Sequence, residues 1–233
     1  MSEPLPIVLI PGLLCSARLF GEQLPALWRC DPVMIADHTR GDSMEEIARR
    51  ILAAAPPRFA LVGLSMGGYL SFEIMRRAAD RVARLALLDT TARADVPEQS
   101  ERRRAQIALA RDGRFDEIPD SQFPVWVHPA RAHDAALRRI VRLMAEETGA
   151  EAFVRQQTAL LSRPDSRPGL AAIRCPTLVL VGDADQATPP ARAAEIADGI
   201  AGARLVTVPD CGHLSTLERP AEVTGALLAW LEA

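Results

Sequence analysis

The chain has 233 residues with 27 basic and 30 acidic side chains, a formal net charge of −3 that argues against nucleic acid as a partner. Every basic residue is arginine, and asparagine is absent as well, which excludes a Schiff-base lysine, a lysine-held cofactor, a Walker lysine, N-glycosylation and any Cys-His-Asn arrangement. Four widely spaced cysteines without a C-x-x-C, no basic-then-apolar leader and no apolar run of about 18 residues lead to the expectation of reduced thiols in a soluble cytoplasmic protein with no membrane partner.

In chain order, residues 7–10 (IVLI) read as a buried strand, stopped by Pro11-Gly12. Residues 16–28 have helical spacing, with Leu19, Leu24, Leu27 and Trp28 apolar, and 33–36 form a second strand. His38 falls in the polar loop that follows and is read as a loop residue. Ser43-Met44-Glu45-Glu46 fits a capping box and opens a helix through Ala55, ended by Pro56-Pro57. Residues 59–63 (FALVG) form a third strand. Gly63-Leu64-Ser65-Met66-Gly67 fits G-x-S-x-G, and Leu70, Ile74 and Met75 then recur at helical spacing. Strand, tight turn and helix therefore meet at Ser65. A serine presented at a strand end needs a sharply turned backbone, so both flanks must lack a Cβ. A glycine-rich turn with a capping serine would account for the motif alone; the partners further along the chain decide against it.

A fourth strand, 85–88, ends at Asp89-Thr90. From 91 to 168 the sequence has no strand of the core type. Helical stretches are expected near 98–111, 116–127 (broken by Pro119 and Pro124), 131–148 and 150–162, with Leu137, Ile140, Val141 and Met144 as an apolar stripe. Residues 163–169 read as a return loop. Strand 176–182, a loop with Asp183 and Asp185, helix 191–200, strand 205–208, then Gly212-His213 and a helix over 217–231 complete the chain. Strands alternating with helices imply a mainly parallel six-stranded sheet, with binding at the carboxyl ends of its strands.

GLSMGG after a buried strand, with Ser65, Asp185 and His213 in that order, resembles the α/β-hydrolase superfamily, closest in motif style to small bacterial esterases and enol-lactonase-like hydrolases. The resemblance implies a hydrolase core over 1–90 and 169–233 and a helical cap over 91–168. With six residues ahead of the first strand, the antiparallel pair usual there is expected to be missing. The resemblance implies Ser65 as nucleophile, His213 as its base and Asp185 as the acid behind the histidine, since Gly182 and Asp185, with Pro189 behind, fit the family's G-x-x-D…P. Asp183 and then Asp89 are the competitors. His128 and His133 lack the strand-to-helix context, and Glu218 reads as a helix-start charge or cap, not a catalyst. The oxyanion donors carried over are the N–H groups of Leu13, where proline replaces the usual histidine before the glycine, and of Met66.

These residues give an acyl-transfer chemistry that uses no cofactor and no metal. The expected reaction is hydrolysis of a small carboxylic ester or lactone through an acyl-enzyme on Ser65. Alternatives are an enol-lactone, thioester or carbon–carbon hydrolase on the same residues, an acyltransferase or lyase of the same fold, or a binding protein without turnover. Leu14, Phe123 and Trp126, with Met66, are expected to wall a mostly apolar pocket. Oligomeric state is not legible.

Overall fold

The computed structural model describes residues 4–232; the first three residues and the last one of the expected core lie outside it. Strand β1 (Ile7–Ile10) leads through helix α1 (Leu24–Cys30) to β2 (Val33–Ile35), and α2 (Met44–Ala54) leads to β3 (Phe59–Leu64). Helix α3 (Met66–Ala78) follows β3 after one residue and precedes β4 (Val82–Leu88). Four helices come next: α4 (Pro97–Arg111), α5 (Glu117–Trp126), α6 (Ala135–Thr148) and α7 (Ala150–Leu161). The chain then returns through β5 (Thr177–Gly182), α8 (Pro190–Gly199), β6 (Arg204–Val208), the short α9 (Ser215–Glu218) and α10 (Pro220–Glu232).

All six strands are parallel, in the order β2-β1-β3-β4-β5-β6. Successive residues of a strand face opposite sides, and on the central strands β1, β3, β4 and β5 both sides are covered. Val8, Ile10, Leu61, Leu85 and Leu87 pack beneath α2, α3 and α8. Ile7, Leu9, Val62, Ala86 and Leu88 pack beneath α1 and α10. Burial on both faces is why these strands read as unbroken apolar runs. The chain steps from β1 outward to β2, then jumps back so that β3 lies on the other side of β1. That reversal opens a crevice beyond the carboxyl ends of β1 and β3, where Pro11-Gly12-Leu13 and Ser65 stand.

Several boundaries differ from expectation for identifiable reasons. The helix expected over 16–28 divides into a 3-10 turn, Ala17–Phe20, and α1, because Pro25 lacks an N–H and fits only the first helical turn; Trp28 is 72% exposed. Strand β4 starts three residues early, with Val82 opposite Phe59 and a register shift beside it; Arg84 sits within it by sending its guanidinium to the Trp230 carbonyl (3.0 Å). Helix α5 runs through Pro124 unbroken, and Pro119 occupies its first turn, where no N–H is needed. Helix α6 begins at Ala135, where Asp134 accepts the Leu137 N–H at 3.0 Å. Pro220 divides the last helix into α9 and α10. Ser43 caps α2 as expected, accepting the Glu46 N–H at 3.2 Å. The four cysteines are unbridged, and among the described residues no helix is long and apolar enough to cross a membrane.

Leu61, fully buried in β3 between β1 and β4, and Leu205, 41% exposed on the edge strand β6, set a contrast. Leu61→Ala is expected to lower unfolding free energy by about 2–5 kcal/mol, and Leu205→Ala by less than about 1 kcal/mol. Urea titration of both variants checks this; equal losses would contradict the described core.

Candidate active site

Ser65 joins β3 to α3 at φ 55° and ψ −112°, a left-handed conformation a serine rarely adopts. Its neighbours hold it there. Its N–H donates to Leu88 O (2.9 Å), and its carbonyl accepts from Thr90 Oγ1 (2.8 Å) and from Gly68 N (2.9 Å). The flanking glycines are required by close approach. A Cβ on Gly63 would lie 2.3 Å from the Gly67 carbonyl oxygen, and one on Gly67 would lie 2.0 Å from that of Ile10. The obstruction at Gly67 is thus the end of β1, not another part of the turn.

Three of the sequence-predicted residues come together here. Ser65 Oγ lies 2.9 Å from His213 Nε2, and His213 Nδ1 lies 2.8 Å from Asp185 Oδ2. Asp185 is buried and saturated: Oδ1 accepts the Ala187 and Thr188 N–H groups, each at 2.8 Å, and Oδ2 also accepts from Thr188 Oγ1 at 2.7 Å. Burial raises the Asp185 pKa, but the His213 charge and these hydrogen bonds outweigh it and leave the carboxyl below its ordinary value. At His213 burial disfavours the imidazolium, yet the charge of Asp185 and its hydrogen bond, helped by Asp89 and Glu218, carry the pKa above the ordinary value. With Nδ1–H donated to Asp185, Nε2 is left as acceptor for the Ser65 hydroxyl.

The competing acids have other partners. Asp183 accepts the Cys211 N–H at 3.0 Å. Asp89 accepts the Gly182 N–H at 3.0 Å and the Ser215 hydroxyl, and burial, with the nearby Asp185 charge, pushes its carboxyl well above the usual range. Glu218 caps backbone N–H groups, though not those of its own helix. It accepts the Gly212 N–H (3.0 Å) and the His128 N–H (2.7 Å), tying the histidine loop to the segment after α5.

The loop after β1 brings Leu13 beside Ser65. Neither the Leu13 N–H nor the Met66 N–H has an acceptor among the described residues, and Met66 opens a thirteen-residue helix, where unpaired N–H groups favour an anion. Two residues not assigned to the site from the sequence fix this loop. His38, read as a loop residue, is buried, with Nε2 2.9 Å from Gly12 O. Burial holds its pKa below the ordinary value, so the ring is neutral and Nε2–H is the donor. Gly12 C=O and Leu13 N–H share one trans peptide plane and point opposite ways, so anchoring the carbonyl on His38 aims the Leu13 N–H away from it. Gln156, fully buried on α7, accepts the Leu14 N–H at 3.2 Å and reaches His38 O at 3.5 Å. Only the unusual burial of a lone histidine and a mid-helix glutamine marks this pair, and burial is invisible before folding.

A cavity of about 500 Å³ opens at Ser65, with Leu13, Cys15, Met66, Trp126 and His213 on its wall. Two pocket assignments are corrected. Leu14 takes a left-handed turn, φ 60°, which sends its side chain among Ala110, Ile118, Ala145 and Phe153. Phe123 is fully buried with Val127, Leu137 and Val141, under the Arg138 guanidinium at 4.4 Å, on the side of α5 turned from the cavity. The cavity wall is more apolar than polar, as expected, and α4 adds to it a polar stretch of Gln99, Arg102, Arg103 and Gln106. Among the described residues no group of three His, Cys, Asp or Glu side chains is placed to hold a metal ion.

A family model described as "Alpha/beta hydrolase family" matches residues 7–226. A thermophilic esterase from Thermogutta terrifontis superimposes with a TM-score of 0.89 at 30% identity, over 98% of this chain and 89% of that one. The enol-lactonase from Burkholderia xenovorans LB400 gives a TM-score of 0.89 at 27% identity, over 100% and 93% of the two chains. In sequence, a pimeloyl-[acyl-carrier protein] methyl ester esterase from Nitrosomonas europaea is 26% identical over 187 residues, 77% of this chain and 73% of that protein.

The opposing influences on His213 predict a measurable titration. By NMR its imidazole is expected to titrate above about 6.5, and to fall below that in Asp185→Asn, where burial remains and the counter-charge is gone. The sign for stability follows: a raised folded pKa stabilises at low pH, and that contribution is lost as pH rises through it. An imidazole pKa unmoved by Asp185→Asn would contradict the pairing.

Proposed function

The chain belongs to the alpha/beta hydrolase family, and on that premise we propose that it is a serine hydrolase cleaving a small carboxylic ester or lactone through an acyl-enzyme on Ser65. The reading rests chiefly on the row Ser65 Oγ–His213 Nε2 at 2.9 Å and His213 Nδ1–Asp185 Oδ2 at 2.8 Å. It is supported by two unpaired N–H groups beside the serine and by similarity to esterases and an enol-lactonase. Residues 91–168 act as a cap that walls the cavity from above the strand ends.

Ser65 Oγ attacks the carbonyl carbon while its proton passes to His213 Nε2. Asp185 stabilises the imidazolium and keeps the ring oriented without taking the proton. The oxyanion accepts hydrogen bonds from the Leu13 and Met66 N–H groups, at the N-terminus of α3. His213 then protonates the leaving oxygen, which departs as the alcohol, or as the free hydroxyl end of an opened lactone. Water enters, gives a proton to His213 as it attacks the acyl carbon, and His213 returns that proton to Oγ as the C–Oγ bond breaks, releasing the acid. Because base catalysis requires neutral His213, kcat/KM rises with pH through the raised imidazole pKa.

Ser65 is expected to be labelled by a fluorophosphonate, and Ser65→Ala and His213→Ala to lower turnover of p-nitrophenyl acetate on the order of 10⁴-fold with folding intact. Asp185→Asn should lose most activity, and Asp183→Asn little. Full esterase activity in Ser65→Ala would end the nucleophile assignment. His38 acts as a positioning residue: His38→Leu should lower kcat about tenfold or more with KM little changed, since donor alignment is used in the transition state. His38→Gln, which keeps an N–H donor, should recover part of it. A uniform loss in both variants, tracking thermal stability, would reduce His38 to packing.

A further inference from the structure

The cavity wall formed by α4 has a chemistry that ester hydrolysis alone does not require. Gln99, Arg102, Arg103 and Gln106 recur at i, i+3, i+4 and i+7, so one stripe of the helix faces inward, and that stripe is polar. Arg163, beyond α7, completes a wall of three guanidinium groups, and no carboxylate lines the cavity. Among the described residues, Asp95 is the one acid paired with them. It lies 2.5 Å from Arg103 Nε and 2.6 Å from Arg163 Nη1, so a single negative charge faces two positive ones. Arg163 Nη1 is close enough to Asp95 for ion pairing but out of line for a hydrogen bond, and it is buried. The Arg103 and Arg163 side chains are only 16% and 4% exposed. Arg102, exposed at the rim, has no ion-pair or hydrogen-bond partner among the described residues.

Withdrawing arginines from water is unfavourable unless opposite charge meets them. Two further glutamines, Gln122 and Gln186, also line the cavity and offer donors without negative charge. We propose that the acyl part of the substrate carries a second acidic group, a carboxylate, received by Arg102 with Arg103 and Arg163 behind it, so that the enzyme acts on half-esters or lactones of dicarboxylic acids. Guanidinium and carboxylate match as planar two-donor and two-acceptor groups. A wall with three guanidinium groups against one carboxylate, and with Arg102 free at the rim, draws such an anion in and holds it while the ester end meets Ser65. This inference rests on the proposed serine hydrolase reading and adds the substrate class to it.

The test compares monomethyl glutarate with methyl pentanoate, a neutral ester of the same acyl length. Wild-type kcat/KM is expected to favour the charged ester at least tenfold, and Arg102→Gln to reduce that preference at least fivefold, through KM. Direct binding separates recognition from turnover. In Ser65→Ala, calorimetry should find monomethyl glutarate bound at least tenfold more tightly than methyl pentanoate, with the advantage diminished by added Arg102→Gln. A neutral ester processed equally well, or a preference untouched by Arg102→Gln and by Arg163→Gln, overturns the proposal. If no ester is turned over and Ser65 resists the phosphonate, the hydrolase reading fails. The calorimetric arm then still decides the anion site: stronger binding of the charged ester supports it, and equal binding overturns it.

Discussion

Ser65 holds a backbone conformation that costs a serine roughly 1–3 kcal/mol, and the rest of the site depends on that cost being met elsewhere. The position cannot be relaxed by moving α3 outward, because Gly67 already sits against the Ile10 carbonyl at the end of β1. It cannot be relaxed by the strand, because the Ser65 N–H continues the ladder to Leu88. The restraint is the sheet itself. Strands β1, β3 and β4 are buried on both faces, and slipping any of them would expose apolar side chains on two sides at once. The core therefore does more than stabilise the fold; it converts apolar burial into a fixed direction for one hydroxyl.

A second restraint joins the core to the helices inserted after β4. The Trp126 carbonyl at the end of α5 accepts the N–H groups of both His213 (3.0 Å) and Leu214 (3.1 Å). Glu218 spans the same junction with its two carboxylate oxygens. On the other side, Gln156 of α7 takes the Leu14 N–H, while Leu14 inserts among residues of α4 to α7. The histidine loop and the loop bearing Leu13 are thus each hydrogen-bonded to the inserted helices. In the proposed mechanism these helices help aim the base and the oxyanion donors as well as shape the cavity.

The central strands were legible because burial on both faces writes itself as runs such as IVLI and TLVLVG, and the sharp turn at Ser65 because Gly63 and Gly67 each meet a steric demand. The order Ser65, Asp185, His213 was legible once strand ends could be placed. The choice of Asp185 over Asp183 came from the resemblance, through the fit of Gly182, Asp185 and Pro189 to the family's G-x-x-D…P, and the two differ in structure: one carboxylate faces His213, the other accepts the Cys211 N–H. Phe123 and Leu14 were misread because apolar character does not say which way a residue faces. On α5 both faces carry apolar groups, Phe123 toward α6 and Trp126 toward the cavity. At Leu14 the direction is set by a positive φ that no local residue type announces. His38 and Gln156 were beyond reach, since their partners lie 26 and 142 positions away in sequence.

The polar cavity wall was present in the sequence in a form that the usual rule for amphipathic helices inverts. On α6, Leu137, Val141 and Met144 turn inward and pack, as a helix on a core should. On α4 the corresponding question has a different answer, because one side of that helix borders a void and not a neighbour. Ile107 and Ala110 are its buried apolar contacts, while Gln99, Arg102, Arg103 and Gln106 face the cavity. An arginine-rich stripe on a surface helix is ordinarily a solvated face, and nothing local separates the two cases. What separates them here is Asp95, just before α4, which draws Arg103 inward and meets Arg163 from the return segment after α7. A single buried carboxylate thereby organises more positive charge than it neutralises, and the excess faces the space in which Ser65 stands.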